Sequence, residues 1–240
     1  MTITEAHYQF KLNMDRIDSL STEDFNRVEI DWLLNEAALV FLKRRTSTSN
    51  KKLKGFEADQ KRIDDLSSLV IKYPLQPGII PTLNNGVYEL NLSDLTYSYF
   101  QLIALSADVL ISPGCTKKLQ LKLIQHDDYI QALKDPFNSP SQEFIPYNFG
   151  RSSNGISSSL YIYPGVYSIN IIYPEYIKLP RKVSFGNYVY IDGNTYPPTT
   201  FDFPEHTHNE IIDIACEIAA MNIENPEYIQ LKTQKVFSHE

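Results

Sequence analysis

The sequence predicts an α+β protein: an N-terminal antiparallel helical pair and a C-terminal helix forming a small bundle, with a large, mostly antiparallel β insertion between them. Three observations predict it. Long stretches of helical hydrophobic spacing occur only before residue 69 and after Phe203. Between them most segments alternate apolar and polar residues, the mark of strands with one wet face. Helices at both ends of a chain are satisfied most simply by packing on each other, which brings the ends together. The corresponding division is 1–68 helical, 69–203 β-rich, 204–226 closing helix and 227–240 C-terminal arm.

The first helix is expected over Thr4 to Asp18, carried by Tyr8, Phe10, Leu12, Met14 and Ile17. A second follows from an N-cap at Ser21, with Glu23 and Asp24 in an acidic first turn and Lys43, Arg44 and Arg45 in a basic last turn. Phe25, Val28, Trp32 and Leu39 mark one of its faces. Ile30, Leu33, Leu34, Ala37, Ala38 and Phe41 mark most of the rest, so it should be buried on nearly every side. Thr46 to Asn50 is a polar loop, and a third helix over Leu53 to Leu66 should return antiparallel to the second.

Leu69 to Tyr73 reads as a strand running into Pro74, Pro77-Gly78 and Pro81. Tyr88, Leu90 and Leu92, then Leu119, Leu121 and Leu123, then Tyr167, Ile169 and Ile171 each alternate with polar neighbours. Leu95 to Ile111 holds one long strand or two broken ones. Asp127 to Lys134 is the helical exception, capped by Asp127 or Asp128 and stopped at Asp135-Pro136. Pro164-Gly165 turns two strands, and Asp192-Gly193 closes a hairpin. Pro204 then opens the closing helix, whose Ile211, Ile214, Ala215, Ile218 and Ala219 form a stripe widened by Ile212, Cys216 and Ile223, and Pro226 ends it.

Composition narrows the function classes. The 29 acidic and 22 basic side chains leave a net charge of −7, which argues against a general nucleic-acid coat or an anionic membrane surface. Cys115 and Cys216 are the only cysteines and sit in no paired motif, so a reducing compartment is expected and a disulfide framework is not. Neither a secretory leader nor a membrane-spanning run is recognisable. The 16 tyrosines suit strands and contact surfaces.

No constellation spells out an enzyme, and no cofactor or metal is expected. His206 and His208 invite a metal site, but residues two apart on a helix diverge by roughly 200° and two ligands do not complete a tetrahedral set. His126-Asp127-Asp128 could serve acid–base chemistry, yet its acids are better placed as helix caps. Asp64-Asp65, Asp213 and Glu217 read as helix surface. The glycine-flanked segment 150–155 lacks the Lys-Ser/Thr of a phosphate loop. Lys43, Arg44, Arg45, Lys51, Lys52 and Lys54 form the one basic cluster, either a dipole-matched helix end with a solvated loop or a contact for DNA backbone or an acidic subunit. In the polar arm, Tyr228 and Phe237 stand out as anchors.

The order of parts is itself informative. Phe25-Asn-Arg-Val-Glu-Ile-Asp-Trp32 in the helical part precedes Val87-Tyr-Glu-Leu90, Ile130 to Phe137 and Tyr161-Ile-Tyr-Pro-Gly-Val-Tyr167 in the β part. Phe203 to Ile211 and Glu224-Asn-Pro-Glu-Tyr228 follow. Together they resemble the neck proteins of tailed bacteriophages, in particular the ring or head-to-tail connector proteins of crAss-like phages infecting Bacteroides. The resemblance implies a non-enzymatic virion protein, made in the host cytoplasm, that forms a homo-oligomeric ring of about twelve copies below the portal. Its partners would be the portal, other ring or tail proteins, and DNA passing without sequence specificity, with no membrane involved. The alternatives are a β-sandwich carbohydrate- or receptor-binding module, and a hydrolase built on His126, Asp127 and Asp128 or on His206 and His208.

Overall fold

Asn26, not Ser21, opens the long N-terminal helix. Its side chain caps the first turn while Glu29 Oε2 accepts from the Asn26 amide at 2.8 Å, a reciprocal capping box. The computed structural model describes residues 1–15, 25–47, 60–75, 82–83, 86–112, 114–135, 137, 139–151, 158–190 and 192–222. Ser21, the Leu53-to-Asp59 part of the third helix, Ile223 and the arm lie outside them. The chain divides into two units, Met1–Leu69 with Pro180–Glu240, and Val70–Leu179.

The first unit is built on helices α1 (Ile3–Asp15), α2 (Arg27–Thr46), α3 (Gln60–Leu66) and α5 (His208–Asn222). α2 buries Ile30, Leu33, Leu34, Ala37, Ala38, Phe41 and Leu42, all at 4% exposure or less, against α5. The opposite face stays open, since Trp32 is 37% exposed and Val28 and Leu39 are half-buried. The expectation of near-complete burial is therefore corrected to a helix with one dry face. α5 is buried along nearly its whole length, with Ile211, Ile212, Ile214, Ala215, Cys216, Ala219 and Ala220 inside and Ile218 half-buried. It is preceded by a single 3₁₀ turn over Glu205–Thr207, after Pro204 in extended conformation.

Residues 180–203 were expected in the β part but belong to this helical unit. The reason lies on α2, where Asp31 and Asn35, one turn apart, bond the backbone of the segment as a strand would. Asn35 donates to the Val183 carbonyl at 2.9 Å and accepts its N–H at 2.7 Å, and Asp31 Oδ2 accepts the Phe185 N–H at 2.7 Å. The Asp192-Gly193 turn does form, with Tyr190 N–H bonded to the Asn194 carbonyl and Gly193 at φ +80°.

The second unit is one sheet of eight strands among the described residues: β1 (Val70–Lys72), β2 (Thr82–Leu83), β3 (Val87–Asn91), β4 (Tyr99–Ser112), β5 (Cys115–Leu123), β6 (Phe144–Arg151), β7 (Ser158–Ile162) and β8 (Ser168–Lys178). Their spatial order is β1-β8-β4-β5-β6-β7-β3-β2, and every pairing is antiparallel except β5 with β6. That parallel pair needs a crossover, which carries the short helix α4 (Tyr129–Lys134). Asp128 takes its N-cap position, as expected, though its side chain makes no capping bond.

One face of the curled sheet gathers a single core, including Leu90, Leu105, Val109, Leu119, Ile145, Leu160, Ile172 and Tyr176. β4 is one 14-residue strand that pairs with β8 through three register shifts. The shifts at Phe100 and Ile103 let Tyr99, Leu102 and Leu105, three residues apart, all face the core. A third, at Asn170, changes the parity of β8: Ile169 points inward before it, and Ile172 and Tyr176 after it. The expected inward set Tyr167, Ile169 and Ile171 therefore breaks at Ile171, which is half-buried. Likewise Leu123 is 53% exposed at the end of β5, and Glu89 is buried beside Leu90 because both faces of β3 are covered there. The turn at Pro164-Gly165 joins β7 and β8, which are not neighbours in the sheet, so it is a crossing and not a hairpin.

Candidate contact surfaces and a buried charge network

Of the basic cluster, Lys43 is exposed and available to a partner. Arg44 is half-buried and lies 3.6 Å from Glu217. Arg45 is 1% exposed and points inward, which removes it from any contact with DNA or a neighbour. Its Nε donates to Asp65 Oδ2 at 2.8 Å and its Nη2 to both Glu210 oxygens at 2.7 and 2.8 Å, and its guanidinium sits 4.7 Å above the Phe41 ring. Lys51, Lys52, Lys54, Tyr228 and Phe237 lie outside the described residues.

Of the acids read as helix surface, Asp64 is exposed as expected, whereas Asp65, Asp213 and Glu217 are buried. Asp65 is 1% exposed and accepts from His206 at 2.8 Å, while Glu210, Asp213 and Glu217 are buried along α5 at 8%, 4% and 5% exposure. Spaced three and four apart, they form an acidic row on a helix that is otherwise apolar. The row was visible in the sequence; only its coincidence with Arg44 and Arg45 was not, because that depends on how α2 crosses α5. A second buried pair, His7 Nε2 to Asp31 Oδ1 at 2.6 Å, lies beside Phe185 of the 180–203 segment.

His206 and His208 separate as their helical spacing requires. His206 turns to Asp65, whereas His208 is buried, bonds the Phe203 carbonyl at 2.9 Å and packs 4.9 Å from the Phe201 ring. Burial, above all, holds the His208 imidazole below its ordinary pKa of 6.5. Among the described residues no group of three or more His, Cys, Asp or Glu side chains is arranged to hold a metal. His126 stands exposed with Nδ1 3.4 Å from the buried Asn148 amide, and Asp127 and Asp128 are exposed beside it. Cys115 is exposed and Cys216 buried, both unpaired as disulfides. No described helix is long and apolar enough to cross a membrane.

The β unit presents apolar side chains at one end of its sheet. Leu110 of β4 pairs with both Thr116 and Ser168, so the β4–β5 turn and the Pro164–Val166 turn lie at the same end. The loop before β6 joins them there. A Cβ built on Gly165 (φ +64°) would lie 3.2 Å from Pro140, so these two loops touch. Phe137, 86% exposed, is fixed on that loop by its N–H to Asp135 Oδ1 at 3.0 Å, and Val166 on the turn is 93% exposed. The Tyr161, Tyr163 and Tyr173 hydroxyls donate within the chain, and Lys118 sits 4.1 Å over the Tyr173 ring.

No known protein-family model matches this chain, and no curated protein shows significant sequence similarity to it.

Proposed function

We propose that this chain is a structural virion protein that assembles as a ring of about twelve copies in a phage neck, joining portal to tail and extending the DNA channel. The observation that carries the reading is the pair of touching loops bearing Phe137 and Val166, both almost fully exposed. Exposed apolar anchors held by hydrogen-bonded loops suit a surface completed by a neighbouring subunit. The net charge of −7 suits a channel wall along which DNA slides without adhering. Buried ion pairs spent on joining helices, with the histidines engaged in structural bonds, fit a load-carrying part better than a hydrolase. Cross-linking of purified virions followed by mass spectrometry tests the assignment. Recovery of this chain linked to the portal is expected, and its absence from the particles would contradict the proposal.

A further inference from the structure

Two tyrosines of the 180–203 segment enclose a charge. The rings of Tyr190 and Tyr196 stand 5.8 Å apart at 82°, and the Lys182 ammonium lies 5.3 Å from the first centroid and 5.2 Å from the second. Asp192 Oδ2 accepts from the same ammonium, and the Tyr196 hydroxyl oxygen accepts from it at 3.2 Å. Two aromatic rings and a carboxylate around one cation are the parts of an aromatic cage for an organic ammonium group. Hydrogen bonding, to Asp192 first and to Tyr196 second, holds the Lys182 ammonium above its ordinary pKa of 10.5.

The walls are held by bonds that do not involve Lys182. Asp192 Oδ2 also accepts from the Tyr196 hydroxyl, and its Oδ1 accepts the Asn194 N–H at 3.1 Å. Between them the turn is closed by Tyr190 N–H to the Asn194 carbonyl at 2.8 Å, Gly193 N–H to the Tyr190 carbonyl at 2.9 Å, and the pairing of Val189 with Thr195. Tyr190 is 8% exposed, and Asn35 of α2 donates to its hydroxyl at 3.3 Å. Lys182 differs from these walls. Its ammonium rides on a flexible stem and its side chain is 49% exposed. A preorganised receptor whose occupant is flexible and half in water can exchange that occupant.

We infer that Tyr190, Asp192 and Tyr196 form a binding site for a primary alkylammonium group, the end of a lysine side chain, and that Lys182 fills it as a tethered, displaceable ligand. The carboxylate supplies the opposite charge, and the two rings favour an organic cation over a neutral chain of the same length. Tethering gives Lys182 an effective concentration on the order of millimolar, so a free amine competes poorly with it in the unaltered chain. Removing the ammonium opens the site. One chain is sufficient for this binding, so it stands or falls separately from the ring.

The test titrates the full chain with n-butylammonium chloride at constant ionic strength and follows the amine by saturation-transfer NMR, which reads weak binding at any particle size. Lys182→Ala should bind it saturably, with half-saturation on the order of millimolar, and the wild-type chain roughly tenfold or more weakly. Adding Asp192→Asn to Lys182→Ala should abolish the binding, and n-butanol should not bind either form. Lys182→Gln keeps the stem without the charge and is titrated in parallel. No saturable binding to either variant would overturn the site. Equal binding to the wild type and the variants, or binding that survives Asp192→Asn, would place the amine elsewhere and overturn it as well. Loss of the folded state in both Lys182 variants, seen as a missing thermal transition, would contradict walls that stand without Lys182 and has the same force.

Discussion

Arg45 on α2 grips Glu210 on α5 through both carboxylate oxygens, at 2.7 and 2.8 Å, with the arginine 1% and the glutamate 8% exposed. Because the same guanidinium also serves Asp65 on α3, one side chain joins three helices. An ion pair this buried adds little net stability over an apolar replacement of the whole set, but it is costly to break from one side.

Replacing Arg45 by Leu strands two buried carboxylates. Urea denaturation should register a loss of about 3–5 kcal/mol. Lys43→Ala, at an exposed neighbouring position, should change stability by less than about 0.5 kcal/mol. Equal effects at the two sites would refute the inward placement of Arg45.

Asn35→Ala removes both bonds that hold Val183 to α2. A cost of about 1–3 kcal/mol is expected, and amide hydrogen exchange should locate it. Val183 N–H should lose protection in the variant while the strand amides of β4 and β8 keep theirs. Unchanged exchange at Val183 would detach the 180–203 strap from the helical unit.

The pH dependence follows from His208. Its folded-state pKa lies below the ordinary 6.5, so the unfolded chain takes up a proton that the folded chain resists. The stabilisation is full above pH 6.5 and declines as pH falls through that value towards the folded pKa. Thermal melts should therefore lose Tm as pH falls below 6.5, and His208→Gln should flatten that slope while leaving melts near pH 8 less affected.

Phe137→Ser and Val166→Ser alter exposed loop tips and should leave the melting temperature nearly unchanged. If these side chains sit in an interface between copies, the paired substitution should lower the assembled fraction severalfold at fixed concentration. Assembly that ignores both changes would move the interface elsewhere on the chain.

Helix existence and the β character of the middle were legible because hydrophobic spacing reports them directly. Ile211 to Ala219 and Leu119 to Leu121 behave as their spacing requires. What escaped depends on pairing between distant residues. The β8 parity change needs the bulge at Asn170, which local alternation cannot register, and the three-residue steps of Tyr99, Leu102 and Leu105 imitate a helix until β8 is placed alongside. The boundary at 203 failed for a similar reason: Asp31 and Asn35 read as ordinary polar positions on a helix, yet they recruit residues 183 and 185 to it. Within the basic cluster, the exposed Lys43 and the buried Arg45 are two residues apart, and helical geometry alone sends them to different environments.

Self-association is the claim on which the proposed role stands, and mass photometry of the purified wild-type chain, alone and with the portal, measures it directly. One chain is 27.6 kDa. A dominant species near twelve times that mass, formed alone or on the portal, is the expected result. A single population at the mass of one chain under both conditions would contradict the account.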